Sequence, residues 1–481
     1  MPANNSVKQN TATDLSITKF AKRSFLLISS SVIRLAVQLI IIFLFSRQLS
    51  VTDYGMYQSV WLYLNVISII ALFGLPSLIL SSSSLNIRLW IKQNSSLFIG
   101  IALLVNFIPI FYVLFATTEY DFKIKLLVIL LSIIQNFSIL AETIAIKNKK
   151  EKLVLVSNLI FSIGYLIGHL AILYSTYSLQ LILLAIIAMF LIKAILLGLL
   201  GIPHQPNKPA VVATALGKQW FYLGLYDVIS VLFKWLDKWV ILFFISITQF
   251  AVYFNGSYEI PIFGLMLSAV GNIMLVDLST QNNNAALKVK TLFQNSSLLL
   301  AAIVFPSFCF LFFYSHEFFT LIFSTKYTDA IPVFVISIFV LPLRITNFTA
   351  ALQVYHRNDL IVKGAVLDLC IAIVLMLTLY PILQMRGLAL AFVLSTYIQA
   401  AYYLWHTAKL INKEIGYFFP FQKLFFLLLF SAAISGGCYY LFSYFTHPIN
   451  MIAGIAVCTI LILLLLIYQY KLRNEDAMAA S

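Results

Sequence analysis

Long apolar runs separated by short polar stretches fill most of the chain. Each run spans about 18 to 24 residues, enough for an α-helix to cross roughly 30 Å of hydrocarbon at about 1.5 Å per residue. The pattern predicts an all-α membrane protein with about 14 transmembrane helices. They are expected to begin near residues 24, 57, 95, 125, 153, 179, 220, 254, 294, 330, 361, 386, 423 and 449.

Composition supports the same class. The 481 residues are 62% hydrophobic and 10% charged, whereas water-soluble proteins average near half apolar and about a quarter charged. This excludes a water-soluble globule. The first apolar run, residues 24–46, is too long for the apolar region of a signal peptide and has no small-residue cleavage site. We therefore expect it to be a membrane helix.

Basic residues orient the predicted helices. With a cytoplasmic N-terminus, the inward segments hold 21 Lys and Arg and the outward loops hold 5. Positive charge concentrates on the cytoplasmic side of membrane proteins, so both termini are expected in the cytoplasm. The net charge of +14 is then a topology signal. It predicts contact with anionic membrane lipids and no nucleic-acid partner.

Two segments of the chain repeat. The pentapeptide QNSSL occurs at Gln93–Leu97 and at Gln294–Leu298, where it is expected to open helices three and nine. Residues 22–57 also align without gaps on residues 218–253. The polar identities in that alignment are Lys22/Lys218, Ser50/Ser246, Thr52/Thr248 and Tyr57/Tyr253.

The repeats predict a duplicated architecture. Because six spans return the chain to its starting side, two copies of six helices have the same orientation and form a parallel repeat. We expect one six-helix bundle in residues 1–205, a second in residues 206–410, and two further helices with a tail in residues 411–481. The proline-rich stretch GIPHQPNKP, residues 201–209, is the expected linker.

Charged residues inside the apolar runs mark candidate functional positions. A charge at the centre of a membrane helix costs about 2.5 to 3.5 kcal/mol, so these side chains must face protein or water. In helix seven, Asp227, Lys234 and Lys238 share one face at spacings of seven and four. The five basic residues of this kind are Arg34, Lys193, Lys234, Lys238 and Arg344.

Two interpretations of these bases remain open from the residues alone. Each base either pairs with an acid and holds helices together, or lines a lumen in which excess positive charge suits an anionic, phosphate-bearing cargo. Lys193 lies near a cytoplasmic helix end, so we expect its side chain to extend to the surface. His169 is expected to be a hydrogen-bonded interior histidine.

The four cysteines predict neither a metal site nor a disulfide framework, because they lie in apolar runs without Cys-x-x-Cys spacing. No cofactor is expected either. The cysteines are Cys309, Cys370, Cys438 and Cys458.

Several motifs resemble those of the polysaccharide flippases. These are the Wzx-type O-antigen and teichuronic-acid translocases of the multidrug/oligosaccharidyl-lipid/polysaccharide exporter superfamily. The chain departs from the family pattern at Phe250–Tyr253, which lacks Tyr-Gly-x-Tyr, and at Phe243, where a glycine is usual. The motifs are FSRQLSVTDYGMY (Phe45–Tyr57), FGLP (Phe73–Pro76), LDKWVIL (Leu236–Leu242), IFSTKYTDAIPVF (Ile322–Phe334) and LPLR (Leu341–Arg344).

The resemblance implies a flippase for oligosaccharide linked to undecaprenyl pyrophosphate, working by alternating access in a bacterial inner membrane. It implies no enzymatic activity, and a polysaccharide polymerase and other assembly proteins are expected partners. The substrate-binding residues it implies are Arg34, Lys234, Lys238 and Arg344. Ion coupling is assigned to Asp227, Asp237 and Asp368.

Three other functions remain as alternatives. A multidrug exporter of the same superfamily would favour acidic over basic residues in its lumen. A membrane polymerase, ligase or glycosyltransferase would need reactive groups on a sizeable outward loop, and no outward loop here exceeds roughly 17 residues. A non-transporting scaffold would leave the charges inside the helices without a role.

Overall fold

The computed structural model describes residues 32–480, apart from residues 82–83, 116, 118, 176, 202–215, 280–284, 356 and 446. In these residues the chain is helical and forms no β-strand, which confirms the predicted all-α class. The physical reason is that lipid offers no hydrogen bonds to a backbone, and a helix satisfies its own.

The helices belong to two compact units, Met1–Leu236 and Asp237–Ser481, whose boundary falls inside one helix, α9. In the first unit the helices are α1 (residues 32–48), α2 (Val51–Leu72), α3 (Leu75–Ser81), α4 (Ser84–Gln93), α5 (Ser95–Phe115), α6 (Phe122–Lys147), α7 (Glu151–Tyr174), α8 (Leu179–Gly201) and the start of α9 (Leu216–Phe244).

The second unit continues from α9. Its helices are α10 (Ile247–Gly256), α11 (Pro261–Ser279), α12 (Ala285–Phe313), α13 (Ser315–Phe323), α14 (Ile331–Ser337), α15 (Ala350–Val354), α16 (Asn358–Leu383), α17 (Met385–Ile411), α18 (Ile415–Phe418), α19 (Phe421–Phe442) and α20 (His447–Ala480). Two 3₁₀ segments, Thr325–Ala330 and Ile338–Leu343, flank α14.

Ten segments of the described chain are long and apolar enough to cross a membrane. They coincide with ten of the predicted spans. The other four predicted spans are also helical, at residues 32–48, Ser95–Phe115, Leu216–Phe244 and Pro261–Ser279. The total of 14 transmembrane helices and the cytoplasmic termini stay predictions.

Within the first unit, α8 packs along both α6 and α7, and α2 packs against α5 and α6. Within the second unit, α16 and α17 form a long antiparallel pair, while α12 packs against α19 and α20. Ala302 of α12 is fully buried against Leu461 of α20. The two C-terminal helices therefore cover α12.

The sequence repeat has matching local structures. Ser50 caps the N-terminus of α2 by accepting a hydrogen bond from the Asp53 N–H at 3.1 Å. Ser246 caps α10 in the same way, accepting from the Gln249 N–H at 3.2 Å. Tyr57 and Tyr253, another aligned pair, are both buried. The alignment therefore pairs residues with the same structural role.

The expectation for the second QNSSL is wrong. The first copy does lie at a helix start, since α5 begins at Ser95. The second lies inside α12, which begins nine residues before Gln294, at Ala285. There Ser296 and Ser297 are buried. The lysines that precede this copy are helical, so no chain break precedes the pentapeptide.

Most of the predicted linker, from residue 202 to residue 209, lies outside the described residues. The domain boundaries at 205/206 and 410/411 stay predictions.

Candidate functional site

A kink in the FGLP motif lies against α9, the helix that carries Asp227. Phe73 and Gly74 have positive φ values of 38° and 73°, which separate α2 from α3. A Cβ on Gly74 would lie 2.5 Å from the backbone nitrogen of Gly224 in α9. The kink therefore contacts α9 directly. Three residues later, Ser77 donates to the Asp227 carboxylate at 3.5 Å.

We expect Gly74→Ala to destabilise the first unit by about 2–4 kcal/mol, because a methyl group there meets backbone and opposes the left-handed conformation. Gly198→Ala in α8 is the matched control, since no atom lies within 4 Å of its added Cβ. Thermal unfolding of both purified variants in detergent checks this. Equal melting temperatures would show that the kink tolerates a side chain.

Asp227, Lys234 and Lys238, which the sequence places on one face of α9, differ in exposure. Asp227 is half-buried and Lys234 is exposed. The Lys234 ammonium lies 5.5 Å from the ring of its neighbour Trp235. An exposed ammonium on a predicted membrane helix keeps Lys234 a candidate for an anionic ligand.

Lys238 and Asp237 satisfy each other. The Lys238 Nζ lies 3.2 Å from Asp237 Oδ2, and the Asp237 side chain is only 3% exposed. Tyr253 of α10 donates to the same oxygen at 2.9 Å. The ion-pair interpretation therefore holds for Lys238. The pair joins sequence neighbours, so it is the tyrosine that links α9 to α10.

The expectation for Lys193 is wrong. Its side chain is 4% exposed and its Nζ lies 2.7 Å from Glu142 Oε2, so it does not extend to the surface. Asn158 donates to the other carboxylate oxygen at 3.1 Å. The arrangement ties α8 to α6 and α7. An ammonium this close to a carboxylate has its counter-ion inside the protein and gains nothing by reaching water.

Arg34 belongs to the same region. Its side chain is exposed on α1, yet its charge interacts with both Glu142 and Lys193. The structure thus places one predicted substrate-binding residue beside a buried ion pair.

Arg344 lies where the predicted tenth helix breaks. Pro342 sits in a 3₁₀ segment, and regular helix resumes only at Ala350. Pro342 has no backbone N–H to donate, so it loosens the helix at this point. The Arg344 Nη2 lies 3.1 Å from Glu259 Oε1, and the two side chains are 32% and 54% exposed. An ion pair this exposed stabilises by about 0–1 kcal/mol, so the guanidinium remains accessible to another anion.

Other polar contacts hold the broken segment in place. Thr346, buried, shares a hydrogen bond of 2.9 Å with Ser296 of α12. Asn347 Oδ1 accepts from the Thr349 N–H at 3.1 Å, which begins α15. Irregular backbone at membrane depth is tolerated where protein buries it or where it lines an aqueous cavity.

Asp368 in α16 is fully buried. Among the described residues, neither of its carboxylate oxygens accepts a hydrogen bond. The Ser395 hydroxyl approaches it from α17 but donates to the Phe392 carbonyl oxygen at 3.0 Å. A buried carboxylate without hydrogen-bond donors is costly to maintain.

A tyrosine–histidine cluster lies in the first unit. His169 Nδ1 lies 2.7 Å from the Tyr165 carbonyl oxygen, which only accepts, so Nδ1 carries the proton. Nε2 then accepts from the Tyr57 hydroxyl at 3.2 Å. Tyr57 in turn accepts from the Tyr165 hydroxyl at 3.0 Å. This confirms the interior, hydrogen-bonded histidine.

Reasoning from sequence missed the polar face of α7. Asn158, Ser162, Tyr165 and His169 are spaced by four, three and four residues, and all are buried. That spacing is visible in the sequence as one helix face. The apolar residues between these four positions made the segment look like a uniformly apolar span.

Comparisons with known proteins show similarity at the level of structure. No protein-family model matches the sequence, and no curated protein matches it significantly. The structure is similar to a solved structure of the lipid II flippase MurJ in an inward-closed conformation. The TM-score is 0.67 at 18% identity, covering 92% of this chain and 98% of that chain.

The chain has the MurJ fold. Because the match covers nearly the full length of both chains, it includes the helices of both units. The MurJ fold agrees with the all-α class and with a multi-pass membrane protein. At 18% identity it leaves the roles of individual side chains to the geometry described above.

Proposed function

We propose that the chain is a flippase for lipid-linked oligosaccharide. It would carry polysaccharide repeat units on undecaprenyl pyrophosphate from the cytoplasmic to the outer face of a bacterial inner membrane. The observation that carries the proposal is the MurJ fold, because MurJ is a flippase for lipid II and its fold supports the same superfamily. The Wzx-type branch rests on the sequence motifs.

The charged residues supply chemistry that suits this cargo. Lys234 and Arg34 are exposed, and Arg344 is half-exposed beside a broken helix. Discontinuous helices of transporters typically form substrate and ion sites. Guanidinium and ammonium groups bind phosphate oxygens, so these residues are proposed to hold the pyrophosphate, with Lys238 contributing once it leaves Asp237.

Alternating access of two bundles, at residues 1–205 and 206–410, is the proposed mechanism, with residues 411–481 as an addition. Asp227, Asp237 and Asp368 are the proposed ion-coupling residues. Of the three, Asp368 has the strongest support because its carboxylate lacks hydrogen-bond donors in the described chain. A polysaccharide polymerase is a proposed partner, and both termini are proposed to be cytoplasmic.

We expect Lys234→Ala combined with Arg344→Ala to abolish flipping without loss of protein. The measurement is complementation of a deletion strain, with lipid-linked precursor assayed on each face of the inner membrane. Wild-type protein should restore surface polysaccharide, while the double variant should leave precursor on the cytoplasmic face. Lys152→Ala, an exposed lysine at the start of α7, is the control.

Two results would contradict the proposal. Normal precursor distribution in the deletion strain would remove the flippase function and favour the multidrug exporter, which drug resistance on overexpression would support. Full rescue by the double variant would remove the cationic substrate site while leaving the flippase function in place.

A further inference from the structure

The start of α16 and the end of α17 lie side by side. Gly364 of α16 packs directly against Tyr403 of α17, and an added Cβ on Gly364 would overlap the tyrosine ring. The Tyr403 hydroxyl donates to the Ile361 carbonyl oxygen at 3.0 Å. Because the two helices are antiparallel, these contacts place the first turn of α16, from Asn358, beside the last turn of α17, which ends at Ile411.

Positive charge collects at this end of the helix pair. Four charged groups interact with the His406 ring and carry a net charge of +2: Arg357, Lys363, Lys409 and Asp359. Arg357 and Asp359 neutralise each other through two contacts, of 3.1 and 3.2 Å. Within the described residues, no carboxylate lies at ion-pair distance from Lys363 or Lys409. The excess charge therefore belongs to these two lysines.

Aromatic rings surround the same charges. The His406 ring contacts the rings of Tyr402 and Trp405, with centroids 4.3 and 4.6 Å away. The Lys409 Nζ lies 4.2 Å from the centroid of the Trp405 ring, a cation–π contact that positions the ammonium. Trp405 itself is 48% exposed. An exposed tryptophan at the end of a membrane helix is typical of the level where lipid headgroups meet hydrocarbon.

The exposed stripe of α17 shows which way this end faces. From Lys409 and Trp405 it continues through Ala401 and Ile398 to Leu394, at spacings of three and four residues that keep all five on one helix face. Past Trp405 the stripe is entirely apolar, so it lies against lipid. The distance from Trp405 to Leu394 is about 16 Å, roughly half of the 30 Å hydrocarbon thickness. The stripe is therefore as long as one leaflet.

The helix α16 has a matching stripe. It begins at Lys363 and continues through Val366, Cys370 and Val374 to Leu377, again at spacings of three and four residues, and all five are exposed. Because both lysines interact with His406, the charged ends of the two stripes adjoin. Two neighbouring lipid-facing stripes thus share one cationic end at headgroup level.

We propose that Lys363 and Lys409 bind the phosphodiester of an anionic glycerophospholipid, whose acyl chains lie along the apolar stripes of α16 and α17. Ammonium groups bind phosphate oxygens as point charges, and His406 supplies a ring N–H donor between them. Phosphatidylglycerol brings a net negative charge to this site, whereas the choline of phosphatidylcholine brings a further cation. The general attraction of basic loops to anionic membranes has no fixed position, but this site has one.

The test is lipid binding by the purified full-length protein in detergent, measured by native mass spectrometry. The probes are phosphatidylglycerol and phosphatidylcholine with identical acyl chains. Wild-type protein should retain one phosphatidylglycerol with about fivefold higher affinity than phosphatidylcholine or more. Lys363→Gln combined with Lys409→Gln should lower the affinity for phosphatidylglycerol about 25-fold, because each lysine near an anionic headgroup contributes about fivefold.

Lys92→Gln combined with Lys152→Gln is the matched control. Both lysines are exposed at helix ends in the first unit, and the substitution removes the same two charges. The affinity for phosphatidylglycerol should stay within about twofold of wild type if the site is local. Equal affinity of the wild type for both lipids, or equal losses in the two double variants, would overturn the proposal.

Inorganic phosphate separates a lipid site from a site for free phosphate. At the same concentration as phosphatidylglycerol it should displace no bound lipid, because it gains nothing from the apolar stripes. Displacement of the lipid by inorganic phosphate at that concentration would assign the lysines to free phosphate and overturn the proposed occupant.

Trp405 reports the position of the lipid. In vesicles, phosphatidylglycerol with brominated acyl chains should quench tryptophan fluorescence more than brominated phosphatidylcholine at the same mole fraction. The excess should disappear in Trp405→Phe and persist in Trp61→Phe, whose ring lies beside Tyr57 and Tyr165 in the first unit. Excess quenching that persists in Trp405→Phe would overturn the proposal.

The fluorescence experiment decides the matter even where the lysine variant fails to fold, because it leaves both lysines in place. The proposed lipid site does not rest on the proposed flippase function. Neither experiment contains a lipid-linked oligosaccharide, so failure of that function would leave both results unchanged.

Discussion

Lys193→Met is expected to reduce the free energy of unfolding of the first unit by about 3–5 kcal/mol. The Lys193–Glu142 pair is buried, with a 2.7 Å contact. Removing one member of such a pair leaves a buried charge without its counter-ion, which is far more costly than losing the pair itself. Arg34 is on the surface of α1 and replaces only part of the lost interaction.

The double variant Glu142→Gln with Lys193→Met separates the two effects. It removes both charges and keeps an acceptor for Asn158, so most of the lost stability should return. Unfolding by sodium dodecyl sulfate in mixed micelles measures all variants, with Lys152→Met as the exposed control. A single variant as stable as that control, or a double variant no better than the single, would contradict the prediction.

Asp368→Asn is expected to change stability and transport in opposite directions. Both carboxylate oxygens of Asp368 are buried without hydrogen-bond donors in the described residues. Leaving such a group unsatisfied costs about 1–3 kcal/mol, more when it is charged. The nearly isosteric amide removes the ionisable group, so the protein should be as stable as the wild type or more stable, while ion-coupled transport falls at least tenfold.

Asp359→Asn is the matched control, because Asp359 lies on the same helix but is exposed beside Arg357 at 3.1 Å. Thermal unfolding in detergent gives the stability, and the precursor assay gives transport. A marked loss of stability in Asp368→Asn would show that the carboxyl group supports the fold. Normal transport in that variant would remove Asp368 from the proposed ion coupling.

Much of this fold can be predicted from the order of apolar and polar residues along the sequence. Apolar runs of about 20 residues predict helices because lipid permits little else, and Pro342 predicts the break beside Arg344 because it cannot donate to the helix ladder. The alignment paired Ser50 with Ser246, and both cap a helix. These features depend on residues close together in sequence.

Partners distant in sequence were not predictable in the same way. The position of Lys193 near a helix end is visible in the sequence, but the carboxylate that keeps it inside is on α6, 51 residues away. Likewise, the second QNSSL contains residues that commonly cap a helix. In the structure the lysine-bearing segment before it is already helical and continues into the pentapeptide without a break. Hydropathy indicates which residues of a helix lie within the membrane. The rotation of the helix about its axis and the identity of its neighbours depend on packing.

The aligned tyrosines Tyr57 and Tyr253 have different hydrogen-bond partners. The same hydroxyl donates to the imidazole of His169 in one half and to the carboxylate of Asp237 in the other. The imidazole acceptor is neutral and the carboxylate acceptor is charged, and a hydrogen bond to a charged acceptor is roughly twice as strong as one between neutral groups. Equivalent positions of the two aligned segments therefore hold their helices together with hydrogen bonds of unequal strength.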